Sequence, residues 1–211
     1  MSHLVLRSRK GKSMNIKEQL FGKMSGLSRV LLAVAGLLML VGFQFPLWKI
    51  SLWAPQYPEG LSLSIWINKF SGDVQTVNIL NHYIGMAPIE EGSFPELQMF
   101  PKYFMALCAL GLVAAAIGRR FGAWIYALVN VVFASWALYD FWSWEYKFGH
   151  ELNPDAAIKM EDMVYQPPLI GEKLFLNISA SSWPDIAGVA FAVAVLLSLA
   201  VLVIELRRKN V

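Results

Sequence analysis

The chain has 211 residues, an apolar fraction of 56% and a mean hydropathy of +0.48, values that are high for a water-soluble domain. Its formal charge of +3 is a small difference between segregated cations and acids, so it gives no argument for a nucleic-acid partner. The single cysteine, Cys108, excludes a disulfide within the chain.

Residues 1–28 form a basic segment in which Arg7, Arg9, Lys10, Lys12, Lys17 and Lys23 face one acid, Glu18. The first apolar run, 30–47, predicts a transmembrane helix over 29–48. The following Gln44-Phe-Pro-Leu-Trp48 offers no small-residue cleavage site, so it reads as a retained signal anchor. Segment 49–101 is then a long outer loop. Within it Leu61-Ser-Leu-Ser-Ile-Trp-Ile67 alternates with period two and predicts a strand with one apolar face. Gly72 and Asp73 break the pattern, and Asp73 suits the N-cap of a short helix from Val74 to about Ile84. On that helix Val77, Leu80 and Ile84 share one side, and Asn78 and His82 share another. Met86 would continue the second stripe, with Gly85 available to end the helix.

The second span is predicted over 102–118, the turn Arg119-Arg120 over 119–120, and the third span over 121–141. Asn130 lies near the middle of the third and is expected to hydrogen-bond to a neighbouring helix. Segment 142–183 is the second outer loop. There Asn153-Pro-Asp155 predicts a short helix through Met160, and Gln166-Pro-Pro168 stops it. Lys173-Leu-Phe-Leu-Asn-Ile-Ser179 alternates and predicts a second strand, expected to pair with the first. Ser182-Trp-Pro184 reads as the entry cap of a fourth span over 184–206, followed by the basic tail 207–211 with Arg207, Arg208 and Lys209.

The fold class expected is therefore all-α transmembrane: a four-helix membrane bundle with a small mixed α/β periplasmic cap built from the two long loops. Each apolar run is near the length that crosses about 30 Å of hydrocarbon as helix. The acids Glu90, Glu91, Glu96, Glu161 and Asp162 lie in the loops, and the cations lie at the other helix ends. The positive-inside rule then puts both termini of this multi-pass chain in the cytoplasm. Trp48, Trp53, Trp142, Trp144 and Trp183 fall at the outer interface and Trp124 near the inner one, as an aromatic belt requires. Small residues four apart, such as Gly111 with Ala115 and Gly188 with Ala192, allow close helix approach. Asp140 and Asp185 fall near outer helix ends, and no charged group is expected at mid-depth, which argues against an ion path.

Any chemistry is expected outside the bilayer. His82, His150, Met86, Met99, Met160 and Met163 supply imidazole and thioether groups without thiolate, a set that suits copper, with thioether favouring the cuprous state. The same residues also fit a plainer role, His82 as an interfacial hydrogen-bonding group and the methionines as packing. The chain has no serine nucleophile motif, phosphate loop or dinucleotide fingerprint, so it reads as non-enzymatic.

Asn81-His-Tyr-Ile-Gly-Met86, preceded by Ala54-Pro-Gln-Tyr-Pro-Glu-Gly-Leu61, and His150-Glu-Leu-Asn-Pro154 followed by Met163-Val-Tyr-Gln-Pro-Pro-Leu-Ile-Gly171, resemble a family of small bacterial four-span membrane proteins. These are the NosB-type proteins of clade II, or atypical, nitrous oxide reductase gene clusters, and the resemblance covers residues 28–206. It implies a non-enzymatic accessory role in nitrous oxide respiration, beside a periplasmic copper enzyme that needs copper and electrons. The same resemblance implies a place in the bacterial inner membrane, and it raises a cuprous ion, Cu(I), held by His82, Met86, His150 and Met163, to equal standing with the plainer role in which these residues bind no metal. The alternative is an assembly or electron-transfer partner that binds quinol without metal. The partners implied are the lipid bilayer and nitrous oxide reductase or its maturation and electron-transfer proteins.

Overall fold

The structure is a computed structural model that describes residues 21–158, 164–175 and 178–208. In chain order its elements are α1 (Gly26–Leu38), a 3-10 turn (Met39–Phe43), β1 (Trp48–Ala54), β2 (Tyr57–Ile65), β3 (Phe70–Gly72), α2 (Val74–Ile84), a second 3-10 turn (Glu91–Ser93), α3 (Glu96–Ile117), α4 (Arg120–His150), β4 (Gly171–Phe175), β5 (Ile178–Pro184) and α5 (Ile186–Arg207). Four helical segments, Gly26–Phe43, Glu96–Ile117, Arg120–His150 and Ile186–Arg207, are long and apolar enough to cross a membrane. Their outward faces expose Leu128, Val132, Leu196 and Val203, which suits contact with lipid tails better than with water.

Inside the bundle Leu32, Met39, Phe104, Tyr126 and Val201 are fully buried. Helices α1 and α3 meet through glycines, since a Cβ on Gly111 would lie 2.8 Å from Gly36 Cα and one on Gly36 would lie 3.0 Å from the Cys108 carbonyl. Asn130 is also fully buried, but its Nδ2 donates to the Tyr126 carbonyl of its own helix at 2.9 Å. The expected bond to a neighbouring helix is therefore replaced by an intrahelical one, because the i−4 carbonyl lies within reach of the short side chain.

The basic positions gather at one end. Ser25 caps α1 by accepting from Ser28 N at 3.0 Å, while Arg29 Nε donates to the Ala115 carbonyl at the last turn of α3. Glu205 is buried among these groups, accepting from Arg120 Nε at 3.0 Å, Ser25 N at 2.8 Å and Ser28 Oγ at 2.6 Å. One carboxylate thus ties together the starts of α1 and α4 and the end of α5.

At the opposite end the two connecting segments form one antiparallel sheet of order β3-β2-β1-β5-β4. The fold is therefore not all-α: among the described residues it carries five strands where two were expected. Central β1 runs from Trp48 to Ala54 straight out of the first apolar segment, so its alternation is hidden in the tail of that run. The strand expected over 173–179 is split between β4 and β5, and Ser182-Trp-Pro184 closes β5 rather than opening α5. Asp185 caps α5 instead, its Oδ1 accepting from Ile186 N at 2.6 Å. The expected pairing of the strands near residues 65 and 175 is incorrect, since β1 and β5 lie between β2 and β4. The segments join through β1 and β5, in a register that places Ser51 opposite Ser181. Cysteines at 51 and 181 are expected to bridge, because facing Cα atoms fall within about 7 Å. Cysteines at 65 and 175, three strand spacings apart and at opposite ends of the sheet in this register, are separated by well over about 14 Å and should not. Mobility on a non-reducing gel reads the difference.

Two further boundaries move. Helix α4 continues past the expected end at 141 to His150, and Phe141, Trp144 and Phe148 on this extension pack with Ile50, Leu61, Leu63, Val77 and Ile89 in a second core between helix and sheet. The stripe has helical spacing, and no proline interrupts it. Helix α3 begins at Glu96 rather than 102 and contains Pro101. Residues 156–158, expected to open a helix, are not helical: Asn153 Oδ1 accepts from Asp155 N at 2.9 Å in a turn, and the rest of that expected helix lies outside the described residues. Asp73 does sit at the N-cap position of α2, yet its carboxylate accepts from Ser62 N at 2.8 Å and so fastens α2 to β2. Gly85 ends α2 in the left-handed region at φ +83°, where a side chain would be strained.

Candidate functional site

Where the sheet meets α3, α4 and α5, the helices diverge around a cavity of about 480 Å³, within the range of sites for small molecules. Small residues on two helices, Ala134 and Ala137 on α4 with Gly188 and Ala192 on α5, leave the space open. Gly188 is fixed by a second demand, since a Cβ there would collide with the Leu47 carbonyl. The mouth includes Leu138 and Leu196, both on the exposed apolar face of the bundle, so an entering ligand passes over surface suited to lipid.

The floor is aromatic. Phe141 stacks on Trp144 at 5.9 Å and 16°, Trp144 on Phe70 at 6.5 Å and 20°, and Trp48 tilts against Phe141 at 5.2 Å. Phe94 closes edge-on against Phe70 and Trp144. Parallel faces and edges of this kind accept a planar ring better than a bare acyl chain. Two carboxylates, Glu96 from the first turn of α3 and Asp140 from α4, line the same cavity and are near enough to interact electrostatically. The cavity therefore combines an apolar volume, a stacking surface and two hydrogen-bond acceptors.

Behind Trp144 lies a smaller cavity of about 100 Å³, between the sheet, α2 and the α4 extension. Trp144 lines both cavities, and Glu145 lines the smaller one. Among the described residues, neither carboxylate oxygen of Glu145 nor the Trp144 Nε1 has a hydrogen-bond partner.

The residues expected to bind copper are distributed differently. His82 is exposed on α2 with its ring edge-on to Tyr83 at 6.1 Å. His150 is exposed at the end of α4, stacked on Tyr146 at 3.9 Å with its Nδ1 2.9 Å from the Tyr146 carbonyl. Met86 turns inward after Gly85 and lines the smaller cavity. Met163 lies outside the described residues, as does Met160. Among the described residues no group of three or more His, Cys, Asp and Glu is placed to hold a metal.

Comparison with family models, with curated proteins and with solved structures finds no match to this chain. The residues themselves must carry the functional argument. Sequence reasoning had Glu96 among loop acids and Asp140 near a helix end, and did not bring them together. A signal was present in the repeat of Phe141, Trp144 and Phe148 beyond the expected end of the span.

Proposed function

We propose that the protein is a non-enzymatic accessory protein of nitrous oxide respiration in the bacterial inner membrane, and that its larger cavity binds the ring of a quinol-type lipid. The cavity is the observation that supports this ligand class: an aromatic floor for the ring, Glu96 or Asp140 to accept from a ring hydroxyl, and an apolar mouth for the tail. The NosB-like loop motifs supply the respiratory context. In this reading both termini are cytoplasmic and the sheet is periplasmic, because Lys23, Arg29, Arg119, Arg120, Arg207 and Arg208 collect at the other end. Its partners are nitrous oxide reductase or the proteins that mature it and deliver its electrons.

The test is titration of a short-chain quinol into the protein in lipid nanodiscs, read by quenching of Trp48 and Trp144 at the cavity. One saturable site per chain is expected, and its absence would refute the ligand class. Metal analysis of the same sample separates the copper role: near one cuprous ion per chain, lost in His82→Ala and in His150→Ala, would favour copper handling. Topology has its own check. Reporter fusions after Arg120 and Arg208 are expected to report cytoplasm, and fusions at Glu91 and Asn153 periplasm; reversal at any one of the four contradicts the orientation.

A further inference from the structure

The smaller cavity contains a group that the binding of a ring next door does not use. Glu145 is completely buried, among apolar side chains that include Ile50, Leu63 and Val77, and its two oxygens lack partners among the described residues. A carboxyl kept in such surroundings lowers stability relative to an apolar residue of similar size unless something completes its hydrogen bonds. The Nε1–H of Trp144, the preceding residue, has no partner among the described residues either. A carboxyl without partners on the wall of a small cavity matches water, which both donates and accepts. A volume of about 100 Å³ is ample for more than one water, since a single one needs roughly 10–15 Å³ by the same kind of measure. A hard cation fits less well, because Glu145 is the only carboxylate among the described residues of the lining and such ions take about six oxygen ligands or more.

We propose that the smaller cavity is a hydrated proton-holding site centred on Glu145, and that its protonated carboxyl hydrogen-bonds through water with a hydroxyl-bearing ring bound on the opposite side of Trp144. The inference rests on the quinol-type reading of the larger cavity. Trp144 is the shared wall, and its Nε1–H orders the water that joins the two sides. Glu145 keeps its proton in this cavity, since the described lining offers no cation to balance a buried carboxylate and a phenolic O–H is a weaker acid than a carboxyl. No proton or electron changes owner when the ring binds; what changes is the hydrogen bond that the carboxyl makes through water. Tyr165 is the other titratable side chain on the lining, which includes no lysine, arginine, histidine or second acid among the described residues from the sheet, α2 or α4.

The experiment is infrared difference spectroscopy of the protein in nanodiscs, with a short-chain hydroquinone added under anaerobic, reducing conditions and binding followed in parallel by tryptophan quenching. Binding is expected to shift a deuterium-sensitive carbonyl band of a protonated carboxyl group, and Glu145→Gln is expected to remove that band while leaving binding within about twofold. Trp144→Phe, which deletes the N–H, is expected to change that shift at saturating hydroquinone, its affinity being measured alongside because Trp144 also forms part of the floor of the ring site. Identical difference spectra from the wild type and Glu145→Gln, with binding intact in both, would overturn the proton site and leave the ring site standing. Failure of hydroquinone to bind the wild type would overturn both. A Trp144→Phe spectrum identical to that of the wild type would overturn the water bridge between the two sides.

Discussion

Replacing Arg120 with alanine is expected to destabilise the protein by about 3–5 kcal/mol, the range for removing one member of a buried ion pair. The side chains of Arg120 and Glu205 are 2% and 4% exposed, so the stranded carboxylate has little access to water. Arg208 cannot take over: it stands 3.8 Å away and is 48% exposed, where an ion pair contributes about 0–1 kcal/mol. Ser28→Ala should cost less, about 1–3 kcal/mol, because Glu205 keeps its bonds from Arg120 and Ser25 N. The informative variant changes both partners. Arg120→Met with Glu205→Met leaves no buried charge and is expected to recover much of the loss, since buried pairs are often replaceable by apolar side chains of similar volume. Unfolding of the purified protein in mixed detergent, followed by tryptophan fluorescence, measures all three variants against the wild type. A double variant no more stable than Arg120→Ala would show that the cluster holds the three helices by more than its charge balance.

This pair shows where the sequence was legible and where it was not. Charge segregation and apolar run length located four helical segments because each is a property of a dozen or more consecutive residues. Arg120 had the look of a solvated turn cation, and Glu205 stood unnoticed beside the basic tail. Nothing local says that these two residues, far apart in the chain, will meet. Strand β1 was hidden for a related reason: Trp48, Ile50, Leu52 and Ala54 alternate, but they follow the first apolar run without a break and blend into it. The turn chemistry was read more successfully at Gly85, which takes the left-handed conformation that ends α2. It failed at Ser182-Trp-Pro184, where a serine followed by proline fits a helix entry and a strand end equally well, and only pairing with β1 decides. The candidate cavity was the least legible feature, since its walls come from three helices, four strands and the segments between them, and its two carboxylates from separate helices.

Filling that cavity should abolish binding without disturbing the bundle. Ala137 lines it from α4, and Ala137→Trp would place an indole where a ligand ring is expected. A loss of at least about a hundredfold in Kd, near 2.7 kcal/mol, is expected for a short-chain quinol. Leu128→Trp is the matching control, because Leu128 is 65% exposed on the same helix and away from the cavity, so the added indole meets lipid. The carboxylates then distinguish a ring with hydroxyl groups from a lipid tail. Hydrogen bonds to a charged group contribute about 1.5–3 kcal/mol, so Asp140→Asn or Glu96→Gln should weaken quinol binding by about tenfold or more, depending on which oxygen accepts. A lipid held only by its acyl chain would be displaced by Ala137→Trp and indifferent to both amides. Loss of binding in Ala137→Trp together with unchanged binding in Asp140→Asn, in Glu96→Gln and in the double variant would therefore reassign the cavity from a quinol ring to a structural lipid.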